Sequence, residues 1–161
     1  MSAKSPSQSQ IIMTELVLPN DTNQLGNLLG GRLMHWVDIA AALVAQKHSG
    51  KVCVTASVDD ISFNEPIKLG HVVYITATIT RAFKTSMEIH VVVEREDPLH
   101  GVRTHTSQAY LTFVAIDQYG KPLPAPPVEP VTDEEKNRYE EALLRRDARL
   151  KYREAIKARR Q

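Results

Sequence analysis

Cysteine is almost absent from this chain: Cys53 is the only one in 161 residues, so no disulfide can form within it. That excludes the bridged framework typical of small secreted domains and makes a reducing compartment, the cytoplasm, the expected setting. Aromatic residues are sparse at 6%, with Trp36 the single tryptophan. Charge of either sign is nearly cancelled, twenty Lys and Arg against nineteen Asp and Glu, a net +1. Bulk electrostatics therefore points to neither nucleic acid nor an anionic membrane as partner. No apolar run reaches the roughly 18 residues of a membrane span, and the mostly polar residues 1–10 have no apolar core of a secretory leader. The six histidines do not fall at metal-site spacing. At this length the chain is one domain with, at most, an appended tail.

What is present is organised around residues 30–48. Leu33, Met34, Trp36, Val37, Ile39, Ala40, Leu43 and Val44 point in nearly every direction around a helix axis. The pattern predicts a buried helix wrapped by other segments, ending with His48 as a cation in its last turn and Gly50 just beyond. Asp38 sits in the middle of it, where a carboxylate needs a reason. Three are open: Asp38 faces the one wet side, pairs with His35 one turn earlier, or is a catalytic carboxylate.

The flanking segments change period from helical to two. Residues 1–10 read as a disordered end and 11–18 as a short strand, followed by a turn-rich loop over 19–27. Strand character covers 51–63, the stretch from Gly70, 86–94 and 102–117, with short connections that imply antiparallel pairing. Pro122 to Pro130 is a proline-rich spacer. From Thr132-Asp133-Glu134-Glu135, a helix start signature, a charged helix runs to the end with Tyr139, Leu143, Leu144, Leu150, Tyr152 and Ile156 as a thin apolar stripe. It is expected to pack on its own subunit or a neighbour, its basic end (Lys157, Arg159, Arg160) being an alternative contact for an anionic ligand. The sum is an α+β architecture, one antiparallel sheet curled around one helix, with residues 11–121 as the domain and 122–161 as spacer and tail.

Several blocks then occur in order: Pro19-Asn20-Asp21-Thr22-Asn23, Gly26-Asn27-Leu28-Leu29-Gly30-Gly31, Met34-His35-Trp36-Val37-Asp38, Thr55-Ala56-Ser57-Val58-Asp59, Phe63-Asn64-Glu65-Pro66 with Gly70, and Tyr110-Leu111-Thr112-Phe113-Val114-Ala115. On these the chain resembles the hotdog-fold acyl-CoA thioesterases, specifically the cytosolic and brown-fat-inducible acyl-CoA hydrolases, over about residues 11–117.

The resemblance implies a sheet wrapped on a long central helix, a homodimer with shared active sites, and often a trimer of dimers. It implies hydrolysis of fatty acyl-CoA to fatty acid and coenzyme A, with no metal or further cofactor required. Asp38 looks like the catalytic carboxylate, acting as general base or nucleophile. Asn23 looks like its partner from the neighbouring subunit, and Gly30 like the backbone donor to the thioester oxygen. Ser57 is a weaker candidate for holding water. Lys84, Thr85 and Ser86 are expected to contact the phosphates of coenzyme A, with Arg81 and Lys68 as further candidates; Phe63 is grouped with the coenzyme A contacts. Rival readings are a non-catalytic acyl-CoA-binding or regulatory module and a hotdog hydratase or dehydratase. His35, one turn before Asp38, does not make the histidine–acid arrangement that hydration chemistry uses.

Overall fold

The structure, a computed structural model, describes all of residues 1–161. Strands β1 (Ile11–Leu16), β2 (Cys53–Asp59), β3 (Val72–Ala82), β4 (Ser86–Asp97) and β5 (Val102–Ala115) form one antiparallel sheet in the order β1-β3-β4-β5-β2. Helix α1 (Gly30–Ser49) lies on its inner face and α2 (Asp133–Arg159) on its outer face. The expected α+β class and strand count hold, with shorter ends. The segment 51–63 pairs only over Cys53–Asp59, because Asp60 adopts a left-handed backbone (φ +57°) that takes the chain out of the sheet.

Period-two patterning supplies the core. Val73, Ile75, Ala77 and Ile79 on β3, Met87, Ile89, Val91 and Val93 on β4, and Ala109, Leu111, Phe113 and Ala115 on β5 are all buried. Against them α1 sets Leu33, Trp36, Val37, Ala40, Ala41, Val44 and Ala45. The small alanines let helix and sheet approach closely. The helix is not enclosed on every side, however. Leu43 is 39% exposed, His35 and Gln46 are exposed, and Met34, Asp38, Ile39 and Ala42 are half-buried. Five strands cover about half of a helix, and the remaining apolar stripe is left open beside the edge strand β2.

Two expectations are overturned, one at the start of the chain and one at the end of α1. Residues 1–10 are not a frayed terminus: the Lys4 amide donates to the Pro127 carbonyl, the Glu129 amide donates to that of Lys4, and Pro6 and Ser9 are buried. The Lys4 ammonium donates to the His48 carbonyl at 2.9 Å, so Lys4 is a cation at the α1 C-terminus. His48 is not one. Its ring is fully buried and donates from Nε2 to the Pro126 carbonyl at 2.7 Å. Burial, helped by the Lys4 charge and opposed by that hydrogen bond, holds its pKa below the usual histidine value. Gly50 (φ +69°) closes the helix in the left-handed conformation, its amide bonded to the Gln46 carbonyl.

His90, buried on the outer face, is also lowered by burial, with Arg138 and Arg145 adding to the effect and the Gln108 hydrogen bond and Glu88 opposing it. Both rings are thus neutral in the fold while the unfolded chain takes up protons near the ordinary value of 6.5. The unfolded state then binds more protons on acidification, and stability falls as pH drops through and below that value, by up to about 1.4 kcal/mol per pH unit for each histidine. Urea unfolding should show a lower midpoint at pH 5.5 than at pH 7.5; an unchanged or higher midpoint would contradict this.

Helix α2 opens with a reciprocal cap, Glu135 amide to Thr132 hydroxyl and Thr132 amide to Glu135 carboxylate. Its apolar stripe docks only in part: Tyr139 packs against the core and Leu143 is half-buried, while Leu144 and Tyr152 are 69% and 68% exposed. Arginines supply further anchors. Arg145 grips Glu88 through two hydrogen bonds of 3.0 and 2.7 Å and lies over the Tyr110 ring. Arg149 pairs with Asp59 at 2.7 Å, and Arg81 of β3 donates to the Tyr139 carbonyl with its guanidinium over the Tyr139 ring.

Candidate active site

Asp38 projects from the open side of α1, half-buried, and its Oδ1 accepts a 2.7 Å hydrogen bond from the Thr55 hydroxyl on β2. A bond this short to a carboxylate is charge-assisted and fixes the rotamer. Oδ2 has no hydrogen-bond partner within the chain. His35 makes no hydrogen bond to Asp38, so the pairing with His35 is not realised.

Thr55 was not singled out by sequence, and Ser57 was. The register explains the difference. Strand alternation would put both on one face, but a bulge at Ala56 intervenes: Thr55 opposes Phe113, whose side chain is in the core, while Ser57 opposes Thr112 on the outer face. Ser57 therefore faces away from Asp38. Two neighbouring hydroxyls of similar type give no sequence signal for a bulge, so only the paired partner reveals it.

The start of α1 is unusually open. Its N-cap position is Leu29, which offers no side-chain cap, and no acidic residue stands in the first turn. The amides of Leu29 and Arg32 find acceptors within the chain, whereas those of Gly30 and Gly31 donate to no protein group. Two free N–H groups at the positive end of a 20-residue helix form a ready place for developing negative charge. Gly30 borders a groove of about 360 Å³ lined also by Leu28, Leu33, Phe63, Glu65, Pro66 and Ile67, with the Glu65 carboxylate paired to Arg95 at 3.0 Å. The Phe63 ring flanks the glycine; a Cβ on Gly30 would lie 3.5 Å from it.

Asn23 sits in the loop before this helix. Its Oδ1 accepts the amides of Leu25 and Asn27, at 2.9 and 3.2 Å, which closes the loop and leaves the amide NH₂ as a free donor. A salt bridge from Arg32 to Asp21, 3.2 Å, ties the loop to the first turn of α1.

The structure thus brings Gly30 and Phe63 together and seats Asp38 on Thr55, but within one chain Gly30 and Asp38 are two turns apart. Lys84, Thr85 and Ser86 occupy the β3–β4 connection and none of them lines the Gly30 groove. Lys84 is exposed and free of any carboxylate. Arg81 is committed to Tyr139 and is a fastening residue for α2, not a free donor.

A thioesterase superfamily model matches residues 25–101. An acyl-CoA thioester hydrolase of Bacillus subtilis is 39% identical over 128 residues, 80% of this chain and 74% of that one. The chain belongs to the hotdog-fold acyl-CoA thioesterases. Among solved members, a hexameric acyl-CoA thioesterase superposes with TM-score 0.91 at 41% identity, covering 94% of this chain and 97% of that one. The acyl-CoA hydrolase of Staphylococcus aureus, solved with butyryl coenzyme A and coenzyme A, superposes at 0.86 with 37% identity over 99% of both chains. That enzyme has also been solved as variants with one aspartate, one asparagine or one threonine replaced by alanine. The chain spans only about a quarter of the length of some mammalian relatives, such as mouse acyl-coenzyme A thioesterase 11, with which it shares 42% identity over 149 residues. No helix is long and apolar enough to cross a membrane.

Proposed function

We propose that this thioesterase-family chain hydrolyses fatty acyl-CoA to fatty acid and coenzyme A in the cytoplasm, at a site built by two copies of itself. One observation carries the reading: a half-buried carboxylate, Asp38, held by Thr55 on the side of α1 that its own sheet leaves open. The separations of Asn23, Asp38 and Thr55 along this chain, 15 and 17 positions, equal those of the three residues replaced in the Staphylococcus aureus variants.

The thioester carbonyl lies at the Gly30 and Gly31 amides, where the helix end stabilises the oxyanion. Asp38 Oδ2 takes a proton from water, whose oxygen adds to the carbonyl carbon. The tetrahedral intermediate then collapses, the C–S bond breaks, and the proton passes to the departing thiolate. The NH₂ of Asn23 donates to the water or the carbonyl oxygen. Phe63 covers the entry beside Gly30, and the Lys84–Thr85–Ser86 turn contacts the coenzyme A phosphates.

Geometry favours a shared site. Eight residues of α-helix separate Gly30 from Asp38 by ~12 Å, too far to serve one carbonyl. A second copy whose α1 runs antiparallel along the open stripe, with β2 edges adjacent, brings one helix start to the other's Asp38. Val54 and Val58 on β2 and Leu43 on α1, all more than a third exposed, are the surface such a copy would cover. Three such dimers would stack into a hexamer, the assembly size of a solved relative.

The test is complementation. Asn23→Ala and Asp38→Ala should each be nearly inactive against a panel of acyl-CoAs. After subunit exchange of an equal mixture, half the dimers are mixed and each has one intact site, so about a quarter of wild-type activity should return. No recovery in exchanged heterodimers would place the whole site in one chain.

A further inference from the structure

Helix α2 crosses the outer face of the sheet in strand order. The Tyr139 carbonyl meets Arg81 of β3, Arg145 meets Glu88 of β4 and covers Tyr110 of β5, and Arg149 meets Asp59 of β2, the edge strand. There the sheet ends and the helix does not. Leu150 to Arg159 adds ten residues, ~15 Å at ~1.5 Å per residue, or about three strand spacings. A cavity of about 520 Å³ at this end is bordered only by residues between Tyr152 and Gln161, with no other element of the chain beside them. Past β2 lies the open edge that the proposed second copy occupies, so the surface facing the overhang belongs to that copy.

The residues of α2 are arranged to meet themselves. Leu144, Ala148, Tyr152 and Ile156 recur at every fourth position as one stripe; the first three are exposed and Ile156 is half-buried. The stripe is symmetric about Leu150: Leu144 and Ile156 are equally far from it, as are Ala148 and Tyr152. Glu141 and Arg159 lie on the same side of the helix, again equally far from Leu150 and opposite in charge. Glu141 has only a 3.8 Å approach from Arg145, which is committed to Glu88, and Arg159 has no ion pair. The wider charge pattern agrees, with five acids and two bases over 133–141 against five bases and one acid over 151–160. Two copies of α2 running antiparallel across a two-fold axis at Leu150 therefore set apolar on apolar and acid on base. That centre, read from residue types alone, is one position from Arg149, where the helix reaches the sheet edge.

We infer that α2 is a dimer strap, packed antiparallel on α2 of a second copy across adjacent β2 edges. Leu144, Ala148 and Glu141 lie against Ile156, Tyr152 and Arg159 of the partner subunit. The strap rests on the two-copy reading of the active site and adds a second contact, on the outer face of the sheet, that holds the two β2 edges together.

Charge reversal in full-length chains tests it. Dimers of Glu141→Lys, and dimers of Arg159→Glu, each set like charges together twice, whereas a mixed dimer has both pairs opposite. The two positions are ~27 Å apart along one helix, so no contact within a chain can create a preference for mixing. After subunit exchange of an equal mixture, native mass spectrometry should count mixed dimers about tenfold over the two parent dimers together, the effect of two symmetry-related pairs. Chance gives equal numbers, and that result overturns the strap. Cross-linking tests the register: Ala148→Cys and Tyr152→Cys chains, mixed and oxidised, should form a covalent mixed dimer. Glu154→Cys, exposed on the other side of the helix, should not, and a mixed pair that cross-links no better than this control also overturns the strap. A wild type that stays monomeric sinks the shared site and the strap together. Dimers in which Asn23→Ala and Asp38→Ala complement, yet the charge variants mix by chance, sink the strap alone.

Discussion

Asp38→Ala should lower kcat for acyl-CoA hydrolysis by about 10²–10⁴, the range contributed by a positioned general base, and leave the melting temperature nearly unchanged. The second half distinguishes this from structural damage. Asp38 is half-buried and hydrogen-bonded only to Thr55, so its loss leaves at most a small, solvent-open gap. Thr55→Val should act in the same direction but less strongly, because it frees the carboxylate's rotamer without removing the base; about tenfold is the expectation from one lost charge-assisted bond. Ser57→Ala should leave kcat untouched, since that hydroxyl is on the other face of the strand. Stopped-flow or continuous thiol detection on the three variants measures all of this. An Asp38→Ala enzyme with wild-type kcat removes the carboxylate from the mechanism, and a Ser57→Ala loss larger than that of Thr55→Val would mean that the bulge does not govern which hydroxyl serves the site.

Those contrasts also mark how far the amino-acid sequence could be read. The core was legible because it is repetitive: the twelve apolar core residues on β3, β4 and β5 recur at every second position within each strand, and period-two apolar patterning is the strongest signal a strand can carry. The helix around Asp38 was legible for the same reason, as was the reciprocal cap at Thr132. Three things were not. His48 sits where a helix-end cation belongs, yet its burial depends on Pro126, 78 residues away, and that contact leaves no local trace. Ser57 and Thr55 exchange roles through one extra residue in an edge strand. The helix α2 was expected to pack on its own subunit or a neighbour, but not through which residues; it is anchored by arginines whose partners, Glu88 and Asp59, lie far back in the chain. Local periodicity reports which face an element buries; it does not report which distant polar group a charged residue will meet.

The Glu88–Arg145 pair is where that long-range chemistry has its largest energetic consequence. Glu88 is 3% exposed, on a strand whose neighbouring residues are core, and it is fully occupied: Thr80 donates to Oε1, and Arg145 donates to both oxygens. Arg145→Ala would leave that carboxylate buried with the Thr80 hydroxyl as its sole side-chain donor and would also remove the guanidinium from the Tyr110 ring. Breaking a buried pair from one side costs about 3–5 kcal/mol, because the abandoned charge keeps its desolvation penalty. For a chain of this size that is a fall in melting temperature on the order of 10 °C. The double variant Glu88→Leu/Arg145→Met should recover most of the loss, since an apolar pair of similar volume has no charge to solvate. The order of the three unfolding midpoints, wild type and double variant together and Arg145→Ala well below, distinguishes a paired charge from a merely adhesive helix. If α2 were held chiefly by its other contacts, Arg145→Ala would shift the midpoint by no more than an exposed ion pair does, under about 1 kcal/mol, and hydrogen exchange in β4 would not rise. If the pair is the anchor, exchange at β4 and β5 beneath the helix should accelerate while α1 stays protected, because the inner face of the sheet packs without α2.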